Sequence, residues 1–247
     1  MKVALCQIDV VEGDLNKNLL NIGTVLSKID SSVELAVFPE LVDLGYNLEQ
    51  YRALSHSPWL DSSERLIEIA KECKLSFIVG GAFYEMGNLY NSQFYVTQDS
   101  VEVVYSKRHL FGNEKEFFTA SSCSADILIK GVKIGFQICF DLRYPEVFRD
   151  SYPNLPEVVI ISAAWPLARI NHWSALLKAR AIENQCFIVA SNRVGVDNTL
   201  EFGGASQIIS PNGETILMAD NSNSSSNVAT IIPQSVIELR GSFPVLL

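Results

Sequence analysis

This chain is sparing with the residues that cross-link or metallate a small protein. Its five cysteines, Cys6, Cys73, Cys123, Cys139 and Cys186, are odd in number, widely scattered and never form a CxxC pair. That excludes a disulfide framework and a cysteine-based zinc site, and it fits reduced thiols in a cytoplasmic protein. Its three histidines, His56, His109 and His172, are too dispersed to suggest a metal centre or a Cys–His catalytic pair. No apolar run is long enough to span a bilayer, and the N-terminal stretch MKVALCQIDVVEGD turns acidic too soon for a signal peptide. Basic side chains are outnumbered, 19 against 28 acidic ones, for a formal net charge of −9. Nucleic acid and anionic membranes are therefore poor partners, and a small molecule is the better one.

What is present is a strand-rich α/β pattern. At 247 residues, with no internal repeat and no linker, one domain over residues 1–247 is expected. Val3–Gln7 reads as a strand, followed by an amphipathic helix with apolar residues at Leu15, Leu19, Ile22, Leu26 and Ile29. Glu34–Phe38 is a strand buried on both faces, residues 41–59 an active-site loop, and Ser62 or Ser63 starts a helix before the strand Phe77–Phe83. Two hairpins follow, Ser92–Thr97 with Val101–Tyr105 and Ile127–Ile129 with Val132–Ile138. A strand at Glu157–Ile161, a helix over Ala175–Ile182, a strand at Phe187–Ala190 and a hairpin about Pro211, Asn212 and Gly213 complete the pattern, with Asn221–Asn227 as a surface loop.

Three strands end on residues that carry chemistry. ELAVFPE delivers Glu40, VEVVYSK delivers Lys107, and GFQICFDLRYPEVFR carries Cys139 where an apolar strand gives way to a turn and to amphipathic residues that can begin a helix. A cysteine in that position is by itself more often packing than chemistry. Joined by a carboxylate and an ammonium, it belongs to the set that cleaves an amide or nitrile through a thioester. Backbone N–H groups at such a turn can lower a thiol's pKa and receive an oxyanion.

FPE at Phe38–Glu40, KRHLFGNEKEFF from Lys107 to Phe118, and CFDLRYPE from Cys139 to Glu146 resemble the nitrilase superfamily of carbon–nitrogen hydrolases. AAWP (163–166), HWSALLKARAIENQ (172–185), SNRVG (191–195) and GGASQIISPNGE (203–214) extend the resemblance over nearly the whole chain. It implies an αββα sandwich of two mixed β-sheets flanked by helices, a homodimer, and a cofactor-free, metal-free amidohydrolase. It also implies Cys139 as nucleophile, Glu40 as general base, and Lys107 with the Phe140 N–H on the oxyanion. A second glutamate is implied at Glu114, with Glu116 the alternative; Ser121 stands where glycine is usual, which puts that loop's geometry in question. Arg143 is expected either to clamp a substrate carboxylate or to pair with Asp141 or Glu146. Tyr46 and Trp165 are candidate pocket walls, while Arg180, Glu183 and Asn184 read as structural.

Among the branches, the motifs look most like the ω-amidases, which act on ω-amides of small 2-oxo dicarboxylic acids such as 2-oxoglutaramate. An N-carbamoyl amino-acid hydrolase, an aliphatic amidase and a nitrilase are the alternatives within the class. A silent binding or scaffold homologue is the alternative outside it.

Overall fold

A computed structural model describes residues 1–122, 126–197 and 200–245, so that Cys123 alone of the cysteines lies outside the described residues. The chain begins with β1 (Lys2–Gln7), α1 (Leu15–Leu26), β2 (Leu35–Val37), α2 (Pro58–Asp61) and α3 (Ser63–Cys73). It continues through β3 (Ser76–Glu85), β4 (Asn88–Val96), β5 (Val101–Ser106), β6 (Ile127–Ile129), β7 (Val132–Ile138) and β8 (Val158–Ala163). The last third holds α4 (Ile170–Asn184), β9 (Phe187–Asn192), β10 (Val196–Asp197), β11 (Leu200–Glu201), β12 (Gln207–Ile209), β13 (Thr215–Met218), β14 (Ser225–Thr230) and α5 (Gln234–Ser242).

Two six-stranded sheets form, ordered β14-β1-β2-β3-β4-β5 and β13-β12-β9-β8-β7-β6. Each has a parallel centre, β1-β2-β3 or β7-β8-β9, with antiparallel strands on both sides. This is the mixed αββα sandwich expected.

The alternation of side chains along β1 shows why the layers stack. Val3 and Leu5 join a core shared with Ile134, Phe136 and Ile138 of the other sheet, and that core continues to Trp173 and Leu177 of α4. Ala4 and Cys6 point the other way, into a second core with Ile22 and Leu26 of α1 and Leu66 and Ile69 of α3. Each fully buried aliphatic side chain contributes about 1.5–3 kcal/mol. α1 starts where the Asp14 carboxylate accepts the Lys17 N–H at 3.1 Å, and it buries Leu19, Ile22 and Leu26 along one stripe.

A polar seam crosses between the sheets and fixes their alignment. Gln93 Nε2 donates to Ser162 Oγ at 2.9 Å, Ser162 Oγ donates to the Phe38 carbonyl at 2.8 Å, and Tyr105 OH donates to Gln137 Oε1 at 3.0 Å. Unpaired, these buried groups would each cost about 1–3 kcal/mol, so an alignment that broke the seam is disfavoured.

Four local expectations need correcting. The Ser- and Asn-rich stretch is only partly a loop: β14 pairs with β1 from Gln7↔Ser225 to Lys2↔Thr230, an edge strand whose composition hides it because alternate residues face solvent. β3 and β4 run further than expected and meet at Met86 and Gly87, both with left-handed φ. The segment after Cys139 forms two short 3-10 turns, Cys139–Arg143 and Pro145–Arg149, rather than a longer helix. Tyr144 is held extended between them, as a residue preceding proline prefers. α4 begins at Ile170, five residues before Ala175, so that Trp173 can anchor its first turn.

Candidate active site

Glu40 follows β2, where the chain presses against β3. A Cβ on Gly80 would lie 2.6 Å from both Glu40 Cα and the Pro39 carbonyl oxygen, so glycine is required for this approach. Leu41 and Cys139 themselves hold left-handed φ values of 48° and 45°. Such conformations cost a non-glycine residue about 1–3 kcal/mol and persist only where the surroundings impose them.

Much of that imposition on Cys139 comes from Asp141, which is fully buried. Its carboxylate accepts the backbone N–H of His109 at 2.8 Å, the Tyr105 hydroxyl at 2.9 Å and the Ile138 N–H at 3.3 Å, with His109 Nδ1 at 2.9 Å. The Cys139 turn is thus bound to the segment that carries Lys107. From the far side, Arg180 Nε donates to the Leu142 carbonyl at 3.0 Å.

The four charged or ionisable groups singled out in the sequence converge. Lys107 Nζ, with no exposed surface, donates to Glu40 Oε1 at 2.7 Å and to Glu114 Oε1 at 2.8 Å. Asn91 Nδ2 also donates to Glu40 Oε1 at 2.7 Å, and the Ala164 N–H donates to Glu40 Oε2 at 2.8 Å. Tyr46 OH donates to Glu114 Oε1 at 2.5 Å, and the Phe111 N–H donates to Glu114 Oε2 at 2.8 Å. Glu116 is exposed, so Glu114 is the acid that reaches Lys107. Ser121 donates its N–H to the Lys107 carbonyl at 2.9 Å without adopting a left-handed φ, and serine in place of glycine meets no backbone penalty there.

Burial pushes the Cys139 thiol well above its ordinary pKa, the Glu40 charge adds to this, and Lys107 opposes it. The backbone was expected to lower that pKa; desolvation in a dry site outweighs any such help. Burial also raises Glu114, against the pull of Lys107. For Lys107 burial works downward, yet Glu114 and Glu40 together hold the ammonium well above its ordinary range.

Cys139 borders a pocket whose lining includes Tyr46, Phe140, Arg143 and Trp165, all expected there, together with Phe111 and Arg169. Arg143 pairs with neither Asp141 nor Glu146. Its guanidinium lies 4.8 Å over the Trp165 ring, with Nη2 3.3 Å from His172 Nδ1.

The sequence matches the carbon–nitrogen hydrolase family over residues 2–240. The chain belongs to that family. This carbon–nitrogen hydrolase is 32% identical over 249 residues to a 2-oxoglutaramate amidase of Bacillus subtilis, covering 98% of this chain and 95% of that one. It is 31% identical over 248 residues to the omega-amidase YafV of Escherichia coli, covering 99% and 94%. Among solved structures it superposes on XC1258 of Xanthomonas campestris, a CN-hydrolase superfamily protein, with a TM-score of 0.90 at 28% identity, covering 99% and 95%. It is therefore a nitrilase-superfamily amidase, most like the ω-amidase branch.

Sequence reasoning missed three contributors to the hydrolase's site. Asn91 opens Asn-Ser-Gln, three consecutive polar residues within a strand and all fully buried, a break in the apolar pattern that marks a polar site. Asp141 lies two residues after the candidate nucleophile. Arg169 follows AAWP and carries no local signal beyond its charge.

Proposed function

We propose that this hydrolase cleaves the ω-amide of a small carboxylate-bearing substrate, of the 2-oxoglutaramate type, through a Cys139 thioester. The observation that carries the reading is the buried set of Glu40, Lys107 and Glu114, joined at 2.7 and 2.8 Å beside a thiol that borders a pocket. Glu40 takes the Sγ proton as sulfur attacks the amide carbon, and then gives it to the departing ammonia. An ammonium has three N–H donors, and Glu40 and Glu114 accept two of Lys107's. The third is left for the oxyanion, alongside the Phe140 N–H at the start of the Cys139 turn. Water, deprotonated by Glu40, then attacks the thioester and frees the acid. Glu114 and Tyr46 act by holding Lys107 in place. Arg143 binds the substrate carboxylate, which suits a guanidinium already supported on an aromatic face.

One domain over residues 1–247, a cytoplasmic location and a homodimer complete the proposal. The exposed apolar residues Ile182 on α4 and Ile216 and Met218 on β13 support the dimer, and light scattering on the purified protein tests it. The catalytic reading is tested by ammonia release from 2-oxoglutaramate, glutamine, an N-carbamoyl amino acid, a neutral amide and a nitrile, with Cys139→Ala as blank. Cys139-dependent turnover strongest on the 2-oxo amide is expected. Equal rates for wild type and Cys139→Ala refute the nucleophile, and a preference for another member replaces the substrate.

A further inference from the structure

The pocket beside Cys139 has two guanidiniums where the expected clamp needs one. Phe111 and Phe140 form a continuous aromatic shelf, their ring centroids 5.1 Å apart. Arg143 lies 5.8 Å from the Phe140 centroid and Arg169 lies 5.7 Å from the Phe111 centroid. Trp165 ties the pair together: its ring carries Arg143 at 4.8 Å, and its Nε1 donates to the Arg169 carbonyl at 2.8 Å. Among the described residues the side-chain partners of the two arginines are His172 and the rings of Phe140, Trp165 and Phe111, with no carboxylate in ion-pairing distance, although the chain as a whole is strongly acidic. Their charges therefore look to a ligand for balance.

One carboxylate is already matched by a single bidentate guanidinium. The second guanidinium, carried on a neighbouring ring, calls for an acceptor of its own beside that carboxylate. We infer that Arg169 is a specificity-determining residue that reads a second oxygen acceptor adjacent to the substrate carboxylate, as in a 2-oxo acid, while Arg143 holds the carboxylate itself. This rests on the amidase reading of the Cys139 site and goes further, because it assigns recognition of the oxo group to one side chain. The Trp165 tether sets where Arg169 leaves the backbone, and the Phe111 face limits where its guanidinium can go. Arg169 is exposed, and its long flexible stem lets the guanidinium settle on a substrate already seated by Arg143.

The test compares wild type, Arg143→Gln and Arg169→Gln on 2-oxoglutaramate, on glutaramate, which has the carboxylate and amide but no oxo group, and on a neutral short amide. For Arg143→Gln, kcat/KM is expected to fall 10- to 100-fold on both carboxylates and little on the neutral amide. For Arg169→Gln, a fall of about 10-fold on 2-oxoglutaramate with glutaramate changed less than about 3-fold is expected, the scale of one charge-assisted hydrogen bond. Binding gives an independent readout: Arg169→Gln should abolish the preference for 2-oxoglutarate over glutarate as competitive inhibitors. Equal losses on the two carboxylates, or an unchanged inhibitor preference, overturn the assignment to Arg169 while leaving the amidase reading intact. Failure of the wild-type protein to release ammonia from any of the three amides overturns both.

Discussion

Lys107→Met removes the one cation of a buried triad and keeps most of the side-chain volume. At 2.7 and 2.8 Å from two carboxylates, each contact is worth about 6 kcal/mol of Coulomb energy at an effective dielectric near 20, most of it offset by desolvation. Breaking a buried pair by removing one partner costs about 3–5 kcal/mol, because the remaining charge is stranded. Here two carboxylates are stranded together, so the loss must depend on pH. Burial already raises the Glu114 pKa against Lys107's opposition, and the Glu40 charge adds to it; without the ammonium both effects act unopposed. A carboxyl whose folded pKa lies above its unfolded value gives stability that is present below about pH 4.3 and lost as pH rises through the folded pKa. The variant should therefore lose about 3–5 kcal/mol relative to wild type at pH 8 and clearly less at pH 5. Urea unfolding followed by far-UV circular dichroism at the two pH values measures this. A variant as stable as wild type at pH 8, or one destabilised equally at both, would refute the claim that Lys107 balances the two acids. Turnover should drop at least ~10³-fold, since oxyanion stabilisation goes with the ammonium.

Three further outcomes follow from the geometry. Burial pushes the Asp43 pKa up to about 6, against hydrogen bonds from the Ala82 and Leu44 N–H groups and Tyr51 OH. Its folded pKa exceeds the unfolded value near 3.9, so up to about 3 kcal/mol of stability should be lost between pH 4 and pH 6.5, a slope that Asp43→Asn flattens; an unchanged slope contradicts it. Gly80→Ala sets a methyl group against the Glu40 backbone and should cost about 1–3 kcal/mol, with an activity loss larger than the unfolded fraction explains. Because burial keeps the Cys139 thiol protonated, kcat/KM should not climb between pH 7 and pH 9; a rise that follows thiol ionisation would point to a preformed thiolate.

The three strands that deliver Glu40, Lys107 and Cys139 were legible because each is an apolar run ending on one chemical residue. The layered fold was legible from the change between helical and alternating periods. β14 was not: Ser225–Thr230 alternates small polar and exposed residues on a sheet edge, and composition alone reads that as a loop. Asp141 and Asn91 were missed for another reason. The polar break at Asn91 is visible, but its bond to Glu40 and that of Asp141 to His109 span 51 and 32 residues of sequence, and no local pattern encodes a partner that distant. The thiol's raised pKa was misjudged because the turn's N–H groups are readable in sequence, whereas the depth of burial is set by both sheets together.

The site's charge balance explains why so much polar chemistry is held in a dry place. With both acids ionised, Glu40, Lys107 and Glu114 carry one net negative charge beside a neutral thiol. When Glu40 takes the thiol proton, that negative charge passes to sulfur and then to the substrate oxygen, which forms against the ammonium's remaining N–H. The total charge inside the site never changes during attack, so the low dielectric that penalises a bare thiolate does not penalise the concerted step. Desolvation then becomes an advantage, since it strengthens the Lys107 interaction at the moment the oxyanion appears. Glu114 accepts from Lys107 at 2.8 Å, so the ammonium stays charged and aimed while its other partner, Glu40, cycles between acid and base.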